Sequence, residues 1–213
     1  MTKLVIFDWG GVIENHTDPD YGWNALTKNI IKRLSDNRST ELKVWSTFEK
    51  DGETVPICSV NNKEDFYKWI DYVALKNGFD NDKAKFFKVY HEEYKKIYYY
   101  KGVVNYIHSL RGKCLVGILS NLLMVDKERL DEQVDFKYID KLFLSFELGM
   151  VKPNLEIYKK VEELSGINAS DILFIDDRIE NIRAAALCGW HVLQATGEDL
   201  ELIKNTVNDF IEK

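Results

Sequence analysis

Four short apolar runs punctuate the chain without alternating with polar residues, Leu4 to Phe7, Cys114 to Leu119, Leu142 to Leu144 and Ile172 to Ile175, and a fifth strand-like run, Trp190 to Gln194, includes His191 and Gln194. Runs of this length with no polar face suit strands buried on both sides, as in a parallel sheet. Helical periodicity fills the intervals after residue 100, predicting helices over about 102–111, 126–134, 154–164 and 179–188, with a last one over about 198–212. Strands alternating with helices in this way indicate an α/β fold: a three-layer, Rossmann-like core with a parallel sheet.

Between about Glu14 and Tyr99 the pattern changes. Trp, Tyr, Phe and Lys recur at helical spacing, which predicts helices over about 21–34, 39–50, 63–77 and 81–99, with turns at Asp51-Gly52 and Asn77-Gly78. The first strand therefore belongs with the second half of the chain. The expected organisation is a discontinuous core, residues 1–13 and 100–213, interrupted by an all-helical cap over 14–99. Trp23, Trp45, Trp69 and the cap tyrosines suit either the core of that cap or the wall of a sugar-binding pocket.

Composition narrows the partners. The chain has 213 residues, enough for one good-sized core and a small accessory unit, with 45% hydrophobic and 30% charged residues. A formal charge of -6 and the lack of a dense Lys/Arg stripe argue against nucleic acid. No apolar run approaches a membrane span, and the first is stopped by Asp8, so a cytoplasmic location is expected and the tripeptides at Asn15, Asn37 and Asn168 carry no weight as glycosylation sites. Cys58, Cys114 and Cys188 lack metal-ligand spacing and read as reduced thiols. Oligomeric state cannot be read from these features.

Four stretches carry candidate chemistry, each at or near the end of an apolar run: Phe7-Asp8-Trp9-Gly10-Gly11-Val12, Ser120-Asn121, Lys152-Pro153 and Asp176-Asp177. A parallel sheet would gather them at its carboxyl edge, where such folds bind ligands. Taken alone, Asp8 is a turn residue, Ser120 a helix cap and Lys152 a solvated surface charge. Together they place a carboxylate nucleophile, a hydroxyl, an ammonium and an acidic pair on one edge, with the N–H groups of Trp9 and Gly10 free to cradle an anion. Adjacent acids near a third at Asp8 repel unless a cation sits between them, and oxygen-only ligands favour Mg²⁺. Pro153 is expected in the first turn of the following helix.

The order and content of these stretches resemble the haloacid dehalogenase superfamily, subfamily I with its helical C1 cap, and within it a glucose-1-phosphatase-like branch with an Asp-x-Gly first motif. The resemblance implies a Mg²⁺-dependent phosphatase acting on a small phosphorylated metabolite, a sugar phosphate by preference. Asp8 would form an aspartyl phosphate, Ser120 and Asn121 would meet the phosphoryl group, and Lys152 would offset its charge. Asp8, Asp177, the carbonyl of Gly10 and Asp176, directly or through water, would hold the metal, with Asn181 bracing the acidic loop. The chain departs from the phosphatase pattern at Gly10, where an acid usually protonates the leaving oxygen. Glu14, His16, Asp18 and Asp20 are near enough in sequence to replace it, although the same segment suits a plain surface linker. Two other readings remain open: a dehalogenase- or phosphonatase-like hydrolase, and a weakly active or non-catalytic binding domain.

Overall fold

Leu4–Phe7 forms strand β1, and all four side chains are fully buried. It is the central strand of a five-stranded parallel sheet completed by β4 (Leu115–Ser120), β5 (Lys141–Leu144), β6 (Ile172–Asp176) and β7 (His191–Gln194), in the order β5-β4-β1-β6-β7. The computed structural model describes residues 2–16, 18–20, 22–35, 46–50, 52–127, 130 and 135–213.

The pleat of β1 explains the three layers, because alternate side chains point to opposite faces. Val5 and Phe7 pack against Val103 and Ile107 of α4 (Lys101–Ser109) and Ile203 and Val207 of α8 (Leu200–Ile211). Leu4 and Ile6 pack against Ile157 and Val161 of α6 (Leu155–Ser165) and Ile182 and Ala185 of α7 (Ile179–Leu187). The register then sets the site. Phe7 pairs with Ile118 on one side and Ile175 on the other, so Asp8, Ser120 and Asp176 leave the sheet at the same edge. Chain order reverses about β1, and that reversal opens a crevice above it.

A separate apolar cluster joins Leu26 and Ile30 of α1 (Trp23–Leu34), Phe66 and Trp69 of α2 (Lys63–Asn77), and Phe86 and Tyr90 of α3 (Lys83–Tyr94). Leu123, from the loop after β4, is part of the same cluster. Helix α2 starts where the Asn62 side chain accepts the Asp65 N–H and ends at Gly78 in the left-handed region. The chain enters and leaves this helical unit side by side: Asn15 N–H donates to the Tyr98 carbonyl (2.9 Å) and Tyr100 N–H to that of Ile13 (3.0 Å).

Several local expectations change. The helical cap also carries a hairpin, β2 (Thr47–Lys50) paired antiparallel with β3 (Glu53–Pro56), where a helix over 39–50 was expected. Asp51-Gly52 is a strong hairpin signal between β-forming residues, and Gly52 takes a positive φ of 84°. Residues 36–45, including Trp45 and Asn37, lie outside the described residues. Helix α3 stops at Tyr94 rather than 99, because residues 98–100 are committed to pairing with residues 13–15. Of the helix expected over 126–134, a 3₁₀ turn at Met124–Asp126 and helical Lys127 and Leu130 are described. Pro153 follows a cis peptide bond and precedes its helix, which begins at Leu155. A short helix, α5 (Ser145–Leu148), follows β5 directly. No described helix is long and apolar enough to cross a membrane.

Candidate active site

At the carboxyl edge of the sheet a cleft of about 480 Å³ is lined by Asp8, Gly10, Ser120, Asn121, Lys152 and Asp177 from the sheet edge, and by His16, Trp23, Cys58 and Tyr94 from the helical unit. Asp8 continues β1 by one residue, its N–H donating to the Ile175 carbonyl at 2.8 Å. Its Oδ1 accepts the Trp9 N–H at 2.7 Å and lies 2.9 Å from Lys152 Nζ. The ammonium, buried with the acids, also pairs with Asp176 Oδ2 at 2.7 Å and donates to the Leu119 carbonyl at 3.0 Å.

Backbone and side-chain clamps hold this arrangement. Asn121 accepts the Lys152 N–H and donates to the Lys152 carbonyl, both at 2.9 Å, so its amide fixes the lysine loop. Asn181 Nδ2 lies 3.0 Å from each Asp176 oxygen, and Arg178 N–H adds a third contact at 2.8 Å. Gly11 has φ +82°, and any Cβ there would overlap the Asp177 carboxyl, so glycine alone lets that acid approach the turn. Carboxylate oxygens of Asp8, Asp176 and Asp177 come within 4.8 Å of one another.

The charges do not balance. Burial, with Asp176 and Asp177 nearby, pushes the Asp8 carboxyl up to about 8 against the pull of Lys152. Asp177 is raised by burial and then by Asp176. Lys152 is disfavoured as a cation by burial, but Asp8 and Asp176 outweigh this and hold its pKa above the ordinary lysine value. Three acids thus share one ammonium, and a hard divalent cation with oxygen ligands fits the deficit. Asp176 already satisfies both oxygens within the protein. The carbonyl of Gly10 accepts no hydrogen bond among the described residues, leaving it available as a ligand.

Three expected contributors, Trp9, Asp18 and Asp20, stand differently in the structure. The Trp9 N–H points at the Asp8 carboxylate instead of outward, and the indole is fully buried with Nε1 3.1 Å from Glu14 Oε2. Asp18 takes the Asp20 N–H and the Tyr98 hydroxyl, and neither acid lines the cleft. Glu14 is fully buried, and its Oε2 accepts from Trp9, from the Tyr94 hydroxyl (3.2 Å) and from His16 Nε2 (2.6 Å). Burial works against the His16 imidazolium, but Glu14 overrides it and raises the pKa. Sequence reasoning did not single out Asp126, read Cys58 only as a reduced thiol, and included Tyr94 only among the cap tyrosines that suit a core or a pocket wall. Asp126 is a buried residue of the cleft lining, receives the Tyr90 hydroxyl, and is pushed up to about 7 by burial. None of the three sits beside a motif; only the packing of the helices brings them there.

A parallel sheet whose switch point carries this carboxylate–ammonium cluster defines a hydrolase scaffold. Residues 2–189 match the family model described as haloacid dehalogenase-like hydrolase, and the chain belongs to that family. It is similar to a sesquiterpene phosphatase of Aspergillus oryzae, 23% identical over 205 residues and 94% of both chains. A shorter match, 39% identical over 57 residues, covers 27% of this chain and 28% of a D-ribitol-5-phosphate phosphatase of Bacteroides thetaiotaomicron. Among solved structures, a HAD family enzyme of Bacteroides thetaiotaomicron in complex with magnesium and inorganic phosphate superposes with a TM-score of 0.68 at 22% identity, over 93% of this chain and 97% of that one.

Proposed function

We propose that this protein is a Mg²⁺-dependent phosphatase of a small phosphorylated metabolite, a sugar phosphate by preference, with residues 14–99 forming a cap over a core of 1–13 and 100–213. The observation that carries the reading is the buried cluster in which Lys152 joins Asp8 to Asp176 beside Asp177. Asp8, Asp177 and the Gly10 carbonyl would hold the ion, with Asp176 directly or through water, and the ion would offset phosphoryl charge when bound.

In the first step the Asp8 carboxylate attacks phosphorus as the ester P–O bond breaks, giving an aspartyl phosphate and a leaving oxygen that takes up a proton. Water then attacks that phosphorus, releasing inorganic phosphate and restoring Asp8. The Trp9 N–H and Lys152 pin one oxygen of Asp8 and so aim the carboxylate. Lys152 also opposes the charge that builds on the phosphoryl oxygens, and Ser120, at the end of β4, donates to one of them. The cleft is large enough for a phosphorylated monosaccharide, and its wall mixes Trp23 and Tyr94 with polar Asn24 and Asp126.

A carbon–halogen hydrolase has no use for the acidic cluster. Among the described residues Lys152 is the one lysine lining the cleft, and it is committed to two acids, so no cap lysine stands ready for the imine a phosphonatase needs. The test is a panel of sugar, alkyl and aryl phosphates with Mg²⁺ or with chelator, run beside Asp8→Asn. Metal-dependent phosphate release that is lost in the variant supports the reading. Release unaffected by chelator, or halide release from haloacids, overturns it.

A further inference from the structure

We propose that His16 is the catalytic acid–base of this enzyme, occupying the space that a side chain at position 10 would otherwise fill. The inference rests on the phosphatase reading and supplies the proton that Gly10 cannot.

Gly10 does not adopt the left-handed backbone that requires glycine at Gly11. Space explains it instead. A Cβ on residue 10 would meet the His16 ring, with Cε1 at 2.7 Å and Nδ1 nearer still. An aspartate at this position would carry its carboxylate oxygens about 2.4 Å beyond its own Cβ, from standard bond lengths. The imidazole Nδ1 sits at that same radius, so a proton-transfer atom is present although the side chain comes from six residues further along.

The ring is held in a defined orientation. A carboxylate only accepts hydrogen bonds, so the 2.6 Å contact with Glu14 places a proton on Nε2 and leaves Nδ1 facing Gly10 and the cleft. The Trp23 indole stacks on the imidazole with centroids 5.7 Å apart and planes 27° apart. Glu14 is itself fixed by Trp9 and Tyr94 and does not line the cleft, so it orients the histidine and does not meet the substrate. This is the division of labour of a base and its orienting acid.

The proton inventory closes over one cycle. Imidazolium Nδ1–H gives its proton to the ester oxygen as the P–O bond breaks, leaving neutral imidazole. Neutral Nδ1 then takes a proton from the water that attacks the aspartyl phosphate, and the imidazolium returns.

The experiment compares wild type, His16→Ala, Gly10→Asp and the double variant Gly10→Asp/His16→Ala on an alkyl phosphate and on p-nitrophenyl phosphate with Mg²⁺. His16→Ala should lose about 10²- to 10³-fold in kcat/KM on the alkyl ester and less than tenfold on the aryl ester, whose leaving group needs no proton. Gly10→Asp alone should be impaired by overlap with the ring, whereas the double variant should regain at least tenfold over His16→Ala on the alkyl ester. Equal losses on both esters in a folded His16→Ala, or no recovery in the double variant, overturn the role of His16 and leave the phosphatase reading standing. A wild-type protein inactive on both esters overturns both. Thermal melts of Gly10→Ala with and without His16→Ala read the steric half independently of activity: Gly10→Ala should destabilise the wild type and be tolerated once the ring is gone, and equal effects in both backgrounds refute it.

Discussion

Replacing Lys152 with methionine removes a charge while nearly preserving the length of the side chain. The ammonium is 1% exposed, 2.9 Å from Asp8 and 2.7 Å from Asp176, and it donates to the Leu119 carbonyl at 3.0 Å. Its loss leaves two carboxyls facing each other in the interior and a carbonyl without its donor. Breaking a buried pair costs about 3–5 kcal/mol, a large part of the roughly 5–15 kcal/mol that holds a domain folded. Proton uptake limits the damage. With the ammonium and any metal gone, Asp8, pushed up to about 8 even beside Lys152, takes up a proton readily at pH 6, so the penalty should be larger at pH 8.5 than at pH 6. With a urea m-value of about 2–3 kcal/mol/M, the midpoint in chelator should fall by about 1–2 M at the higher pH and by less at the lower. Added Mg²⁺ should recover part of the loss by supplying positive charge at the same cluster. In the phosphatase assay kcat/KM should drop at least about 100-fold. An unchanged urea midpoint, or a larger loss at pH 6, would refute the view that Lys152 is the counter-ion of a buried acidic cluster.

Three further outcomes follow from the same geometry. Asp8→Asn should abolish turnover while leaving the circular dichroism spectrum and cooperative unfolding intact; activity within tenfold of wild type excludes the covalent route. Asp177→Ala should weaken Mg²⁺ binding by titration calorimetry at least tenfold, because it deletes one of the carboxylates not already saturated within the protein; an unchanged titration removes Asp177 from the metal site. Asp126, raised from 3.8 to about 7, binds its proton more tightly folded than unfolded, so its contribution to stability is complete at low pH and is lost as pH rises through that interval. Asp126→Asn should therefore match wild type below pH 3.8 and exceed it above pH 8, by at most about 4 kcal/mol, in denaturant titrations; a difference independent of pH counts against this assignment.

Much of the core was legible in the chain. Apolar runs buried on both faces declare themselves because no polar residue can interrupt them, and the carboxyl ends of β1, β4 and β6 carried Asp8, Ser120 and Asp176 as expected. Helix α2 matched its expected range, since Asn62 and Gly78 mark its ends by local chemistry. The hairpin at residues 47–56 was hidden by aromatic and Lys spacing that also fits a helix, though Asp51-Gly52 pointed to it. The early end of α3 was illegible, because it depends on strand-like pairing with a segment more than 80 residues earlier.

The local sequence thus determined which residues bring chemistry and the edge of the sheet at which they emerge, because strand periodicity and chain direction settle both. Tertiary structure decided how those residues meet. Lys152 is a buried counter-ion only because Asn121, 31 residues away, clamps its loop. His16 presses on Gly10 only because its Nε2, the Trp9 indole and the hydroxyl of Tyr94 from α3 all meet one oxygen of the fully buried Glu14. In the sequence Gly10 is a missing acid; in the fold it is the space that an imidazole fills. The reason is steric and non-local: whether a glycine marks loss or room depends on which side chain the packing brings against its α-carbon, and no spacing along the chain carries that information.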